Sequence, residues 1–376
     1  MRGALRHFFA TLFIKKHMDY QEPPQDAISR KGYLLKDLCK NFLQVLSESG
    51  AVAIGKICHF AADLISSSGL ELYQKLCWDY AYDHIGTASP RIFYYLRKKF
   101  AELNEKNAKL NLDQFCRQPE VQQQVMECVL ILQMCPKKTK VKYPTVPQET
   151  HQNDNWLRGV LRTTDKAAVR KVWQRNSDQE QMLHAGNEMV FAITEGAPER
   201  ALFWVKWLNE EDAIIKKQYG TGLSTAERGP ATSKNRAAMG YYLVTILVQI
   251  YKEYAEKGMI RMHEEFQGII DMYRDSMTSQ KHKGDIIAMM IQLLTEVPKW
   301  KVPAAPSLVQ DSATLQKIVQ SAGQFFDEIL RLPPVKPLPA KVTGLKGNKK
   351  KDKSKQTELE ERLAAIDAAT MSFLKM

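Results

Sequence analysis

SPRIFYYLRKKFAELNEK, residues Ser89–Lys106, carries a helix start followed by an uninterrupted amphipathic run. Ser89 suits the N-cap, where its hydroxyl can accept from an otherwise unbonded backbone N–H. Pro90 suits the first helical position, where no N–H is needed. The same helical spacing recurs on both sides of this stretch. Leu35, Leu38, Phe42 and Leu46 mark one helix, stopped near Gly50, and Ile54, Ile57, Ala61 and Leu64 mark the next, ending before Gly69. Leu72, Leu76, Tyr80 and His84 give a third, closed at Gly86, and Pro119 opens another through Val121, Val125, Val129 and Leu132. Later patterns cover 156–175, 178–194 behind a Ser177/Glu180 capping box, 198–218 with Pro198 in the first turn, and 236–256. Phe266, Ile269, Ile270 and Tyr273, then Asp285 as the cap of a helix through IIAMMIQLL, then Leu315, Ile318, Phe325 and Ile329 complete the set. No Val/Ile/Thr-rich alternating run argues for a sheet. The expected fold is all-α, an irregular multi-helix array in two helical halves, with a disordered basic tail and a short C-terminal helix.

Breaks in the periodicity set the expected domains. Residues 1–25 form an N-terminal extension, 26–135 a first helical domain, 136–153 an exposed Pro/Lys linker and 154–332 a second helical domain. Residues 333–356 are rich in Pro and Lys and cannot pack a core, and 357–376 form an amphipathic helix behind the Thr357/Glu360 capping-box spacing. The longest apolar run, around Ala237–Ile250, is interrupted by Gly240, Thr245 and Gln249 and reads as a buried core helix, so no transmembrane segment is expected. Residues 1–17 suit an organelle-targeting or membrane-surface peptide, with a start at Met18 as the alternative. The six cysteines form no C-x-x-C pair and read as buried thiols of a reducing compartment.

The 376 residues carry a net charge of +12, which suggests nucleic acid until it is located along the chain. Residues 1–18 hold four cations and no acid, and 341–357 hold seven lysines against Asp352, so the ends supply most of the excess. Catalytic signatures are missing from the sequence. Cys58, His59, Cys77 and His84 match no zinc spacing and read as core residues. No G-x-S-x-G occurs, and Gly220–Ser233 lacks the phosphate-cradling pattern and reads as a mobile loop. Glu210, Glu211 and Asp212 are consecutive, so they should fan around a solvated helix end. The expectation is a non-enzymatic protein with no cofactor and no metal.

Basic faces are the better signal. Arg158, Arg162, Lys166 and Arg170 recur every four residues and would form a phosphate-tracking stripe on one continuous helix, unless Thr163-Thr164-Asp165 breaks it. Arg91, Arg97, Lys98 and Lys99 interleave with Phe93, Tyr94 and Tyr95, as in single-strand grooves, although aromatics facing the core would produce the same pattern. Lysine clusters at 136–142 and at Lys349, Lys350, Lys351 and Lys353 have the look of nuclear-localisation signals. Leu359, Leu363, Ile366 and Phe373 align on one face of the C-terminal helix, as in a tethered docking peptide.

SPRIFYYLRKKFAEL (Ser89–Leu103), ALFWVKWLNEEDAIIKKQ (Ala201–Gln218, with Trp204 and Trp207) and the hydrophobic helix near Tyr241–Tyr254 together resemble an all-helical family encoded by large nucleo-cytoplasmic DNA viruses of algae and protists. The resemblance covers under a quarter of the chain and implies no catalytic residues. It implies a viral protein acting in the host nucleus, in a cytoplasmic virus factory or in the virion. The expected function is a viral accessory protein that contacts DNA or RNA non-specifically, or a nucleoprotein assembly, with a protein partner for the C-terminal helix. The alternative is a virion scaffold protein that binds protein partners only. The docking element is tested by Leu363→Asp with Ile366→Asp. Lost capture of a protein partner at unchanged thermal stability is the expected result, and a lowered Tm with capture intact would place the helix in the protein's own core.

Overall fold

The computed structural model describes residues 27–138, 142–231, 233, 235–260, 263–275, 278–296 and 308–334. The 1–25 extension, the lysines at 349–353 and the 357–376 helix lie outside the described residues, as does nearly all of the 333–356 tail. Among the described residues the fold is all-α, with no sheet and two isolated bridges, Ile28–Leu34 and Asp178–Ser224. No helix of the described residues is long and apolar enough to cross a membrane. The chain separates into two compact units that interleave along the sequence. One gathers the described residues of Met1–Cys77, Lys99–Gln133 and Asp311–Met376, the other those of Trp78–Lys98 and Met134–Gln310. The sequence reading divides the chain instead into successive halves at 136–153. Helical periodicity marks elements but not which distant elements pack together.

The first unit is built on an almost wholly buried helix. Its helices are α1 (Leu35–Leu46) and α2 (Ala51–Ser68), most of α3 (Leu70–Tyr80), α4 (Arg91–Asn107) from Lys99, α5 (Leu112–Arg117), α6 (Pro119–Met134) and, near the end of the chain, α14 (Ser312–Gln320) and α15 (Ala322–Leu330). Ile57, Phe60, Ala61, Ala62, Leu64 and Ile65 are all buried, so α2 is covered around its circumference, with α1, α5 and α15 packed against it. Gly50 and Gly69 bracket α2 at φ 97° and 79°, backbone angles that L-residues with a Cβ rarely adopt. Beside it, Tyr73 meets Phe42 and Phe100 edge-on, both at 6.2 Å between centroids, and donates its hydroxyl to the Val125 carbonyl at 2.8 Å.

One seam of α2 is polar. Asp63 is fully buried and accepts from Ser67 Oγ at 3.0 Å and from the Lys31 backbone N–H at 3.4 Å, and burial pushes its carboxyl above the usual carboxylate range. Arg30 reaches from the turn ahead of α1 to Asp113 of α5 at 2.7 Å. One helical turn before Asp63, His59 Nδ1 stands 3.7 Å from Glu328 of α15.

In the second unit α9 (Glu180–Thr194) and α10 (Pro198–Tyr219) form a helical hairpin, turned at Gly196 with φ 69° and restarted by Pro198. Both pack against α11 (Met239–Glu256) and α13 (Gln280–Thr295), and α12 (His263–Arg274) packs on α13. Gly186 lets α9 and α11 approach closely, since a Cβ there would stand 2.7 Å from Tyr242 Oη, which donates to the Met182 carbonyl.

The structure corrects several expectations. Asp285 is no cap, because α13 starts five residues earlier at Gln280 behind Ser279. Residues 156–175 are not one helix: α7 (Asp154–Val160) and α8 (Ala167–Arg170) are separated by irregular chain. Ser177 is no cap, because Asp178 is drawn into a bridge with Ser224 and α9 begins at Glu180, preceded by Gln179. The supposed linker is tied down in its described parts, with Lys138 N–H on the His84 carbonyl at 3.0 Å, Tyr143 Oη on the Gly284 carbonyl at 2.7 Å and Lys206 Nζ on the Pro144 carbonyl at 3.0 Å. The Gly220 loop is held as well, by Leu223 N–H on Asp212 at 2.9 Å and by Arg228 paired with buried Asp178.

The first unit generates a pH prediction. Burial depresses His59 to about 4, Glu328 opposes that shift and Lys31 adds to it. In the unfolded chain the same ring titrates near about 6.5. The native state therefore refuses a proton that the unfolded state accepts. Its contribution is complete above about 6.5 and is lost as pH falls through 4. Chemical unfolding of His59→Gln should be less acid-sensitive than the parent over that window, by on the order of 2–3 kcal/mol. Parallel pH profiles would contradict this.

Candidate nucleic-acid interface

Two adjacent polar side chains on α9 shape the basic segment. Asn187 and Glu188 are buried, yet they follow Ala185 and Gly186 and precede Met189 and Val190 on a packed helix. Burying such groups is unfavourable without hydrogen-bond partners, and the partners here are backbone. One carboxylate oxygen of Glu188 accepts from the N–H of Thr163 at 2.9 Å and also from that of Arg162. Asn187 Oδ1 accepts from Lys166 N–H at 3.0 Å, and its amide donates to the Thr164 carbonyl at 2.9 Å. Four backbone groups across 162–166 are thereby satisfied by two neighbouring side chains, which is why the chain can leave helix there.

The stripe expected on one helix is thus replaced by a pinned, non-helical basic segment. Arg158 lies on α7, Arg162 and Lys166 in the pinned stretch, and Arg170 at the end of α8. Arg158, Arg162, Arg170, Lys171 and Arg175 are exposed, and Lys166 is half-buried with Nζ 4.8 Å from the Phe191 ring centre. Arg170 pairs with Asp165 at 2.6 Å and Lys171 with Glu253 at 3.1 Å. Exposed pairs of this kind contribute little and exchange readily for a phosphate.

The α4 candidates fare differently. Arg91, Arg97 and Lys98 are exposed and Lys99 is half-buried; Arg97 pairs with Asp271, and Lys99 with Glu127 at 2.8 Å. Phe93 is fully buried, stacked on Trp78 at 6.5 Å and 3° and tilted against Tyr82 at 5.2 Å. Tyr94 and Tyr95 are half-buried. Phe93 is therefore a core residue, and the single-strand platform suggested by the interleaved aromatics is not assembled around it. Lys349, Lys350, Lys351 and Lys353, with Leu359, Leu363, Ile366 and Phe373, lie outside the described residues.

A second polar cluster contradicts the sequence reading outright. Glu210 and Glu211 do not fan into solvent: both carboxylates reach His151, Glu211 to Nδ1 at 2.9 Å and Glu210 to Nε2 at 3.3 Å. Glu211 is buried, its oxygens accept from Gln152 N–H at 3.2 Å, and the His151 ring stacks on Trp207 at 5.9 Å and 14°. Gln152 sits at φ 51°, a left-handed conformation that this bonding holds in place. Trp156 packs on Trp204 and Trp207 at 5.9 and 6.0 Å, so α7 is anchored to the same face of α10.

The arrangement organises the loops that cross α10. Among the described residues no group of three or more His, Cys, Asp or Glu side chains is placed to hold a metal ion. Burial pushes the Cys58 and Cys135 thiols up to about 12 and Cys116 to about 11, which removes the nucleophilic thiolate at neutral pH. The sequence reading missed Asn187, Glu188 and His151, and placed Glu211 at a solvated helix end. A polar pair inside the apolar run of α9 was the available signal for the first two. Compared with protein-family models, with curated proteins and with solved structures, the chain matches none.

Proposed function

We infer that this protein is a non-enzymatic accessory protein that associates with nucleic acid, or with a nucleoprotein assembly, through the basic segment 154–176 and its lysine-rich C-terminal stretch. The setting implied by the sequence resemblance is infection by a large DNA virus. The observation that carries the reading is the combination on one short segment of exposed Arg158, Arg162, Arg170 and Arg175 with a backbone fixed from beneath by Asn187 and Glu188. Cations on a fixed backbone lose less freedom when they meet phosphates than cations on a free tail, so the same charge gives more affinity. Such contacts read the phosphate backbone and not base edges, and binding is sequence-poor and steep in salt.

Two variants test this by their opposite effects on charge. Replacing Arg158, Arg162, Arg170 and Arg175 by alanine should flatten the plot of log affinity against log salt on duplex DNA, by about 0.9 for each phosphate that is no longer neutralised. Glu188→Ala makes the protein more positive, which by charge alone tightens binding. Here it should weaken binding several-fold, because the pinned segment is released, and it should lower stability by about 1–3 kcal/mol. Tighter binding by Glu188→Ala would refute the pinned surface. Undetectable affinity of the parent protein at low salt would refute nucleic-acid association and leave the protein-only scaffold.

A further inference from the structure

His282 lies in the first turn of α13, behind the N-cap Ser279, whose hydroxyl accepts from the His282 N–H at 3.2 Å. Both nitrogens of its ring face carboxylates. Nε2 is 2.7 Å from Asp79 near the end of α3, and Nδ1 is 3.4 Å from Asp285, one turn along α13. The ring lies flat on Tyr82 at 4.4 Å and 16°. Tyr82 belongs to the π-helical turn Ala81–Ile85, which follows α3 and runs into the 3₁₀ turn Gly86–Ala88. A π-turn replaces the regular i→i+4 bonding of the α-helix with i→i+5 bonding and is frequent at functional sites.

The other charged groups around the ring do not replace its role. Asp83 of the π-turn is paired with Lys281 at 3.2 Å, and Lys283 is turned away over the Tyr241 and Tyr273 rings at 5.8 and 5.5 Å. Asp275, at the end of α12, acts on Tyr82 together with Asp79 and Asp285, and all three acids raise the phenol further beyond the shift due to burial. Tyr143 faces Asp285 from the 142–153 strap and is likewise raised by burial and by that charge. His282 stands between Asp79 and Asp285.

A neutral imidazole has one N–H, whereas two carboxylates on opposite ring nitrogens need two. We propose that His282 is a proton-operated latch: its imidazolium holds Asp79 and Asp285 together and so steadies the 81–88 turns against α13, and loss of the proton leaves one N–H for two carboxylates and loosens them. Burial alone pulls the ring's titration down, but the hydrogen bonds it donates to Asp285 and Asp79, with the charges of those acids, outweigh it and raise it above the usual histidine value. With the folded value raised, the clamp contributes fully below about 6.5, the unfolded value, and is lost as pH rises through the higher folded value. This places the release on the neutral-to-alkaline side, opposite in direction to His59.

Amide hydrogen exchange on the full-length protein tests the latch, compared at pH 6 and pH 8.5 after correction for intrinsic rates. Protection of amides in 81–88 should fall about tenfold or more on the alkaline side, while α9 and α10 stay unchanged. His282→Gln should show the lower protection at both pH values. Equal protection of the parent at the two pH values would overturn the proposal. Should the variant fail to fold, the imidazole resonance of the parent decides. A His282 midpoint above about 6.5 shared by the 81–88 amide shifts supports the latch, and a midpoint they do not follow overturns it.

Discussion

A helical chain that turns often leaves backbone N–H groups without partners at every break, and in the second unit buried side-chain acceptors satisfy them. Glu188 serves Arg162 and Thr163, Asn187 serves Lys166, Glu211 serves Gln152, Asp212 serves Leu223 and Asp178 serves Gln174. Each orphaned donor would cost about 1–3 kcal/mol. Without these acceptors the stretches at 148–153, 161–166, 174–179 and 220–228 would have to be solvated or helical. With them, short irregular segments can be laid against α9 and α10. The charges are neutralised locally where the geometry allows: Asp178 carries Arg228, and Asp212 carries Lys216 at 2.6 Å.

The same constraint explains which parts of the fold were legible in the sequence. Helices whose boundaries are set by local chemistry were read well: α4 after Ser89-Pro90, α6 at Pro119, α10 at Pro198, and α2 between its two glycines. Their signals lie within a turn or two of the residues they govern. The breaks were read poorly, because their causes are distant in sequence. Glu188 lies 26 residues from Arg162, Asp212 lies 11 from Leu223, and Glu211 lies 60 from His151. A consecutive Glu210-Glu211-Asp212 looks like a solvated helix end unless the strap that folds across it is known. The basic residues of the candidate interface were all visible in the sequence. A break at Thr163-Thr164-Asp165 was legible as the alternative to a continuous stripe; what was not visible is that Asn187 and Glu188 pin it.

Electrostatics divides these cations by what they can do. Arg228 is buried on Asp178 and against the Tyr242 ring, so it is part of the scaffold. Arg158, Arg162 and Arg175 are exposed and can meet an anionic partner without dismantling the fold. The two well-placed histidines add a pH frame around neutrality, one resisting a proton and the other depending on it. Stability limited on both sides in this way is a property of single buried groups, separate from the overall charge of +12.

That buried acceptors fix the breaks is the central claim, and residue-resolved amide exchange at Gln152, Arg162, Thr163 and Leu223 tests it most directly. None of the four lies in a helix, and each N–H is bonded to a carboxylate held by α9 or α10. The account requires these amides to exchange slowly, with protection approaching that of the neighbouring helices. Exchange at the rates of free, solvated loops would contradict it.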